Sequence, residues 1–328
     1  MFKLNSPAAK TFFLIGALVF LYFSTAGKIN AFPDFDYDGK ADFSVFRPSD
    51  RIWYTYSTES ETSAGFQWGL PGDVLVPADY DGDGLTDIAV WRPSNGFWYV
   101  HRSIDGKFFS IQWGRIPVSP PPGFISFVSD DVPVPADYDG DGQADFAVWR
   151  PDSGVWYILQ SSDGYNPARA KYYQWGLLGD QPVQADYDGD GRADIAVFRS
   201  TENSWYIRRS SDNQFVSVNF GQAGTDLLVP ADYTGDGKAD LAVYRRGTWI
   251  IRRSEDNRFL TQQFGLPADK PVPADYDGDR KTDLAVYRKG IWYILESSTG
   301  QFRAFDYGLA TDIPLASLNA KESIVPVP

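Results

Sequence analysis

The chain lacks the residues on which many catalytic and metal sites depend. It contains no cysteine and a single histidine, His101, among 328 residues. The absence of cysteine excludes disulfides, thiolate metal sites, a cysteine nucleophile and a lipid-modified N-terminal cysteine. Because the usual general base is almost missing, an enzyme built on this chain would depend on carboxylates, tyrosine or a metal ion.

Basic residues are also scarce. The chain has 30 lysines and arginines against 43 aspartates and glutamates, so its formal net charge is -13. This balance argues against nucleic-acid binding and against electrostatic attraction to anionic lipid. Hydrophobic residues make up 43% and aromatic residues 16% of the chain, which predicts a folded globular protein with a substantial core.

The one long apolar run lies near the N-terminus. It extends from Phe12 to Phe23, follows Lys3 and Lys10, and is 12 residues long, whereas spanning a bilayer takes roughly 20. Small residues up to Ala26 suit a cleavage site. This pattern predicts a signal peptide over residues 1–26 and a secreted or extracytoplasmic location for the remainder. An uncleaved membrane anchor is the alternative.

The chain is rich in one nine-residue acidic segment, which occurs six times. Its clearest copy runs from Asp79 to Asp87, with acids at positions 1, 3, 5 and 9 and glycine at position 6. The six copies hold 23 of the 43 acidic residues. Carboxylates at this density repel one another unless a cation lies among them, and oxygen ligands favour a hard cation. Ca²⁺ fits best.

The pattern predicts one Ca²⁺ site in each copy, up to six in all. Side chains at positions 1, 3, 5 and 9 and the backbone carbonyl at position 7 are the expected ligands. Glycine at position 6 permits a left-handed backbone that turns the next carbonyl inward. The predicted ligand residues are Asp34, Asp36, Asp38, Lys40, Asp42; Asp79, Asp81, Asp83, Leu85, Asp87; Asp137, Asp139, Asp141, Gln143, Asp145; Asp186, Asp188, Asp190, Arg192, Asp194; Asp232, Thr234, Asp236, Lys238, Asp240; and Asp275, Asp277, Asp279, Lys281, Asp283.

Other interpretations of the segment fit less well. Mg²⁺ suits fewer protein oxygens and a stricter geometry. Polar turns without metal require one or two acids, not four at fixed positions. The segment also differs from an EF-hand loop, because Val90 stands where the bidentate glutamate would be and a strand pattern follows.

Two copies depart from the pattern. Thr234 replaces the acid at position 3 of the copy that starts at Asp232, and Arg280 replaces the glycine of the copy that starts at Asp275. A left-handed backbone at Arg280 costs a non-glycine residue about 1 kcal/mol. We therefore expect these two copies to bind Ca²⁺ most weakly.

Other residues repeat in step with the acidic segment. An arginine stands 13 positions after each first aspartate: Arg47, Arg92, Arg150, Arg199, Arg245 and Arg288. A tryptophan follows at a nearly fixed distance: Trp53, Trp98, Trp156, Trp205, Trp249 and Trp292. Each repeat ends in an aromatic-glycine pair, such as Trp68-Gly69. We expect the tryptophans to lie in the core between repeats and the arginines to pair with the acidic segments.

Each repeat contains four short strand patterns. One approaches the acidic segment, one leaves it, one carries the tryptophan and one ends at the aromatic-glycine pair. Four antiparallel strands in roughly 45 residues form one blade of a β-propeller. The fold class predicted is therefore an all-β propeller with six full repeats, in which seven blades are possible.

Two segments fall outside this regular pattern. Arg115 to Pro133 is rich in proline and forms an insertion, which is either a functional surface loop or a tolerated one. Asp312 to Ala316 resembles the approach strand of another repeat but is followed by no acidic segment. It either closes the ring or belongs to a truncated seventh blade.

The acidic segments, each before a strand such as Ile88-Ala89-Val90, resemble the FG-GAP/VCBS repeats of integrin α-subunit propellers and of many secreted bacterial proteins. The resemblance extends from Phe32 to about Ala316. It implies a calcium-stabilised β-propeller, often of seven blades in the family, which we place over residues 31–316. The sequence from residue 317 to 328 is expected to form a loose tail. The family's motif is specific for fold and Ca²⁺ and indicates no particular activity.

Three functions remain open at this stage. The first is a non-catalytic recognition or adhesion module for carbohydrate or an extracellular protein. The second is a calcium-dependent polysaccharide lyase or hydrolase, although the sequence outside the repeats contains no catalytic constellation. The third is a purely structural repeat domain. We expect no nucleic-acid partner and no lipid binding beyond an uncleaved N-terminal anchor, and the sequence leaves the oligomeric state open.

Overall fold

The computed structural model describes residues 33–115 and 131–317. The predicted signal peptide, most of the proline-rich insertion and the tail from residue 318 lie outside the described residues. Regular structure is almost entirely β, with two short 3₁₀ helices at Pro167–Arg169 and Leu315–Ser317. The prediction of an all-β fold is confirmed.

The strands form six four-stranded antiparallel sheets, which are the blades of a propeller. In chain order, blade 1 contains β1 (Phe43–Arg47), β2 (Ile52–Ser57) and β3 (Thr62–Gln67); blade 2, β4 (Val74–Leu75), β5 (Ile88–Arg92), β6 (Phe97–His101) and β7 (Phe108–Gln112); and blade 3, β8 (Val132–Pro133), β9 (Phe146–Arg150), β10 (Val155–Leu159) and β11 (Lys171–Gln174). Blade 4 contains β12 (Asp180–Pro182), β13 (Ile195–Arg199), β14 (Ser204–Arg208) and β15 (Phe215–Asn219); blade 5, β16 (Leu227–Leu228), β17 (Leu241–Arg245), β18 (Thr248–Arg252) and β19 (Phe259–Gln263); and blade 6, β20 (Lys270–Pro271), β21 (Leu284–Arg288), β22 (Ile291–Leu295) and β23 (Phe302–Asp306).

The ring is closed by the last strand of the described chain. This strand, β24 (Ile313–Pro314), pairs antiparallel with β1, so that Val45 lies opposite Pro314 and Phe46 opposite Ile313. Blade 1 is thus built from both ends of the ring. Of the two interpretations of Asp312 to Ala316, ring closure is confirmed, and the described residues form six blades and not seven.

The first strand of each blade lies nearest the axis. Residues of β12, β16 and β20 line a common cavity of about 190 Å³ together with Ala316 and Ser317. The last strand of each blade is the most exposed, as in β3 and β7. The short inner strands therefore meet at the centre, and the longer strands extend outwards.

The hydrophobic core lies between blades. The repeated tryptophans are fully buried, and Trp98 of blade 2 packs against Phe146 of blade 3 with ring centroids 5.2 Å apart. Small residues such as Ala89 are also fully buried and let neighbouring sheets approach. The position expected for the tryptophans is confirmed.

Hydrogen bonds from ring nitrogens reinforce the contacts between blades. Trp68 Nε1 donates to the carbonyl of Tyr99 at 3.3 Å, and Trp113 Nε1 donates to the carbonyl of Tyr157 at 3.0 Å. Each of these tryptophans belongs to one blade and each carbonyl to the next. The tryptophans of these aromatic-glycine pairs therefore lie at the end of one blade and bind it to the next.

The repeated arginines pair with buried aspartates at the start of the inner strands. Arg92 donates from Nε and Nη2 to both carboxylate oxygens of Asp73, at 2.7 and 2.8 Å. The other pairs are Arg47–Asp312, Arg150–Asp131, Arg199–Asp180, Arg245–Asp226 and Arg288–Asp269. The prediction that the arginines pair with the acidic segments is wrong. Each arginine is the last residue of the strand that follows its acidic segment, so the strand separates it from the acidic residues.

Candidate metal centres

In blades 2 to 6 the acidic segment forms the loop that joins the first strand to the second, and in blade 1 it leads into β1, whose inner neighbour β24 comes from the other end of the chain. An isolated bridge between Ala78 and Asp87 closes the loop of blade 2, and equivalent bridges close those of blades 3 to 6. We number the acidic loops 1 to 6 by blade, so that they start at Asp34, Asp79, Asp137, Asp186, Asp232 and Asp275.

Backbone hydrogen bonds connect the acidic loops into a closed ring. The amide at position 8 of each loop donates to the carbonyl of the first aspartate of the preceding loop. The six bonds are Thr86 to Asp34 (2.7 Å), Ala144 to Asp79 (2.6 Å), Ala193 to Asp137 (2.7 Å), Ala239 to Asp186 (2.7 Å), Thr282 to Asp232 (2.8 Å) and Ala41 to Asp275 (2.6 Å). Each loop is therefore joined to both of its neighbours by a backbone hydrogen bond.

The first aspartate of each loop shapes the backbone. In loop 2, Asp79 Oδ1 accepts from the amide of Gly82 at 2.6 Å, and Oδ2 accepts from the amide of Gly84 at 2.8 Å. Both glycines have a positive φ, 79° and 90°, which glycine adopts at little cost. The same conformation occurs at Tyr37 of loop 1 and at Arg280 of loop 6, each with φ of 69°.

The aspartate at position 9 is the buried end of each loop. Asp87 is fully buried, and it accepts from the amides of Tyr80 at 2.8 Å and Ser103 at 2.7 Å. Burial raises the pKa of Asp42, Asp87 and Asp145 to about 7, and that of Asp194 and Asp283 to about 6. Removal from water disfavours the charged form, so a nearby cation would restore it.

Serine and threonine residues of a hairpin cover each loop, and the sequence did not reveal them. In blade 2, Ser103 Oγ donates to Asp83 Oδ2 at 2.9 Å. The corresponding donors to position 5 are Thr58, Ser161, Ser210, Ser254 and Ser297. Each lies 18 to 20 residues beyond its aspartate, a spacing that could have been found by aligning the repeats.

The carboxylates converge in five of the six loops. Ligand atoms of positions 1, 3 and 9 lie within 4.8 Å of one another in loops 1 to 4, and those of positions 1, 3 and 5 do so in loop 6. The groups are Asp34, Asp36, Asp42; Asp79, Asp81, Asp87; Asp137, Asp139, Asp145; Asp186, Asp188, Asp194; and Asp275, Asp277, Asp279. Within the described ranges, loop 5 forms no such group, as expected from Thr234.

The remaining predicted ligands are arranged differently. In loops 1 to 4, the position-5 aspartates Asp38, Asp83, Asp141 and Asp190 each accept from the amide at position 7. Position-7 side chains reach the preceding loop, as a Cβ added at Gly140 would meet Arg192 at 2.9 Å. Coordination through the position-7 carbonyl stays a prediction.

The donor set fits a hard cation. The converging side-chain atoms are carboxylate oxygens, which suit hard ions better than imidazole or thiolate would. Among the described residues, Oδ1 of Asp139 and Oδ1 of Asp188 are buried without a hydrogen-bond partner. Such oxygens are costly to bury unless something satisfies them. These clusters could therefore hold metal ions.

Comparison with known proteins identifies the repeat. The family model described as FG-GAP-like repeat matches residues 79–148, 137–197 and 186–243, which together make up half of the chain. A search among curated proteins finds no match. In the parts of the chain that the structure describes, no helix has the length and apolar character needed to cross a membrane.

Solved structures resemble this chain at low sequence identity. One is a lectin from Agrocybe aegerita, described as recognising non-reducing terminal N-acetylglucosamine, with a TM-score of 0.52 and 15% identity over 81% of this chain and 79% of that one. Another is AztD from Citrobacter koseri, with a TM-score of 0.49 and 12% identity over 82% of each chain. Likeness at this level is limited to the fold. With the repeat match and the six blades, the chain belongs to the FG-GAP-like repeat family.

Proposed function

We propose that this protein is a calcium-binding β-propeller that acts outside the cytoplasm as a non-catalytic recognition or adhesion module for carbohydrate or protein. The observation that carries the proposal is the closed ring of acidic loops, five of which bring three carboxylates together. Such a ring is a costly arrangement of like charges unless cations neutralise it.

Ca²⁺ suits these loops because it accepts six to eight oxygen ligands in flexible geometry. The aspartates at positions 1, 3, 5 and 9 would hold it, with the carbonyl at position 7. The bound ion would supply positive charge that fixes the loop and, through the ring of backbone bonds, its neighbours. Loop 5 lacks the acid at position 3 and loop 6 has Arg280 at positive φ, so these two sites are the weakest.

The fold supports a recognition role because it presents rigid surfaces. The face opposite the acidic loops carries the turns that precede β2 and its counterparts, and the insertion after Arg115 begins there. Residues that repeat in every blade stabilise the ring. We therefore expect the residues that do not repeat to determine which ligand is bound. The sugar specificity described for the structurally similar lectin is a reason to include terminal N-acetylglucosamine among the ligands tested.

A glycan array probed with the chain from residue 27 onward tests the recognition role. The array is developed once with Ca²⁺ and once after chelation. Binding to a defined glycan set that is lost on chelation supports the proposal. The carbohydrate part is contradicted if no glycan is bound while the protein is folded and loaded with Ca²⁺.

A further inference from the structure

A cavity of about 370 Å³ lies between blades 1 and 2, on the face opposite the acidic loops. Its polar and aromatic lining consists of Arg51, Gln67, Trp68, Arg92 and Tyr99. The volume falls in the range of small-molecule sites, about 300–1,000 Å³. The acidic loops contribute no residue to this cavity.

Arg51 breaks the repeat at this place. The amide of Trp68 donates to the carbonyl of Arg51 at 3.1 Å, as the amide of Trp113 donates to that of Gly96 at 2.8 Å in the next blade. The residues equivalent to Arg51 are Gly96, Gly154, Asn203, Gly247 and Gly290. All six have positive φ, which is 60° at Arg51, and arginine tolerates this conformation far less well than glycine or asparagine.

Close packing adds to the cost of a side chain at this position. A Cβ added at Gly247 would lie 2.6 Å from the carbonyl oxygen of Gly265, and one at Gly290 would lie 2.7 Å from that of Gly308. Blade 1 nevertheless carries the long side chain of arginine here. Backbone strain of this kind is concentrated at functional sites, so the strain directs attention to what the guanidinium does.

The Arg51 guanidinium provides an uncompensated positive charge. Among the residues that the structure describes, it has no hydrogen-bond or ion-pair partner, whereas the neighbouring Arg92 is paired with Asp73. A free guanidinium presents a planar array of donors that matches a carboxylate in a bidentate manner. The lining of this cavity contains Arg51 and Arg92 and no acidic residue, so it favours an anionic group.

Aromatic rings form the rest of the wall and are held in place. Trp68 Nε1 donates to the carbonyl of Tyr99, and the Arg92 guanidinium lies 4.2 Å from the centre of the Tyr99 ring. Trp68 is only partly buried, so part of its ring faces the cavity. An immobilised aromatic ring beside polar donors can pack against the apolar face of a sugar while its hydroxyls and acid are hydrogen-bonded.

We propose that this cavity binds an acidic saccharide, a sugar ring bearing a carboxylate that Arg51 receives while Trp68 packs against the ring. The inference rests on the proposed recognition function and names its ligand class. Gln67 donates from Nε2 to the carbonyl of Asp50 at 3.0 Å, and its second amide hydrogen and its carbonyl oxygen can bond the sugar hydroxyls. Arg92, whose guanidinium lies over the Tyr99 ring, keeps that ring in position.

Calorimetric titration with methyl hexuronosides tests the proposal, with the neutral methyl hexosides and their sulfated forms as comparisons. All titrations use the Ca²⁺-loaded chain. The variant Arg51→Asn removes the charge and introduces the residue that blade 4 uses at this position, so it should fold at least as well. Arg51→Lys keeps a charge without the planar donors, and Asn203→Gly changes the equivalent turn of blade 4.

The expected result is that the wild type and Asn203→Gly bind a hexuronoside, and that Arg51→Asn binds it at least tenfold more weakly, as loss of a charged hydrogen bond implies. Arg51→Lys should fall between them, and the neutral sugars should bind more weakly than the acidic ones. Equal thermal stability of Arg51→Asn and wild type would show that the loss concerns binding and not folding.

Three results would overturn the proposal: unchanged hexuronoside affinity in Arg51→Asn, absence of hexuronoside binding by the wild type, or stronger binding of the sulfated sugars. If the array shows binding to neutral glycans only, and Arg51→Asn leaves that binding unchanged, the proposal for this cavity is rejected. The proposed recognition function is then retained. If the array shows no glycan binding, the carbohydrate function is rejected as well. The Ca²⁺ sites are tested separately by calorimetric titration with Ca²⁺.

Discussion

The ninth residue of each acidic loop is an aspartate that solvent does not reach. Burying a carboxylate is costly unless hydrogen bonds or an opposite charge compensate it. Here two backbone amides compensate in part, and burial still raises the pKa of Asp42, Asp87 and Asp145 to about 7. Near neutral pH, protons and a cation would therefore compete for the same carboxylates.

We predict opposite pH dependence for the metal-free and the Ca²⁺-loaded protein. An aspartate whose pKa is raised on folding binds more protons in the folded state, so these groups make the metal-free protein less stable as the pH rises from about 4 to about 7. Ca²⁺ requires the ionised form, so its affinity should rise over the same interval. Thermal unfolding of both forms at several pH values measures this. Stabilisation by Ca²⁺ that is larger at pH 5 than at neutral pH would contradict it.

The backbone at Arg280 leads to a second prediction at the residue scale. Arg280 has a φ of 69°, where glycine stands in the five other loops at the same position with φ of 77° to 90°. Arg280→Gly should raise the free energy of unfolding by about 1 kcal/mol, because the left-handed conformation is unfavourable for a side chain. Denaturant unfolding of the metal-free protein measures the change.

A reciprocal variant serves as its control. At Gly191 of loop 4, an added Cβ would meet no atom within 4 Å, so Gly191→Arg isolates the backbone cost and should lower the stability by a similar amount. If both substitutions left the unfolding free energy unchanged, the strain assigned to Arg280 would be wrong.

Each blade combines contacts that the sequence displays with contacts that only folding produces. The acidic loop, the strand that follows it and the buried tryptophan each form a local pattern and could be predicted. The aspartate partners of the arginines could not be, because each lies 19 residues earlier in blades 2 to 6 and 265 residues later in blade 1, and antiparallel pairing brings the two together. The hairpin hydroxyls were missed because their distance from position 9 varies, from 16 residues at Ser103 to 14 at Ser254.

The arginine–aspartate pairs should contribute strongly to the stability of each blade. Asp73 is 1% exposed and accepts from Arg92 and from the amide of Leu70. Arg92→Met or Asp73→Asn alone should lower the unfolding free energy by about 3 kcal/mol, because each leaves a buried polar partner unsatisfied. The double variant should lose at least about 1 kcal/mol less than the sum of the single losses.

Urea unfolding of the single and double variants measures this coupling. Lys107, whose side chain is 79% exposed in its pair with Asp105, provides the surface comparison. Lys107→Ala should change the stability by no more than about 0.5 kcal/mol. Additive losses in the Arg92–Asp73 cycle would show that the pair does not act as a unit.

At the scale of the whole molecule, blade number was the feature that repeats alone could not determine. Six acidic loops were evident, but a seventh blade depended on whether the segment from Asp312 paired with the first strand or began another sheet. Pairing of β24 with β1 decides this, together with the bond between Arg47 and Asp312. Only long-range geometry contains this information.

A truncation tests the importance of ring closure. A chain that ends at Ala310 lacks β24 and Asp312, so it exposes the edge of β1 and leaves Arg47 without its carboxylate. We expect it to lose cooperative unfolding and to aggregate, since an open sheet edge pairs with other chains. A chain that ends at Ser317 keeps both features and should behave as the full chain in size-exclusion chromatography and thermal unfolding. Equal behaviour of the two truncated chains would contradict a closing role for β24.

The central claim is that the ring of acidic loops is a set of Ca²⁺ sites on which the fold depends. Calorimetric titration of the metal-free chain with Ca²⁺, accompanied by thermal unfolding, tests it most directly. We predict up to six bound ions, a marked rise in melting temperature, filling of loops 5 and 6 last, and one ion fewer in Asp87→Asn, with little effect of Mg²⁺. Absence of Ca²⁺ binding and an unchanged melting temperature would contradict the account.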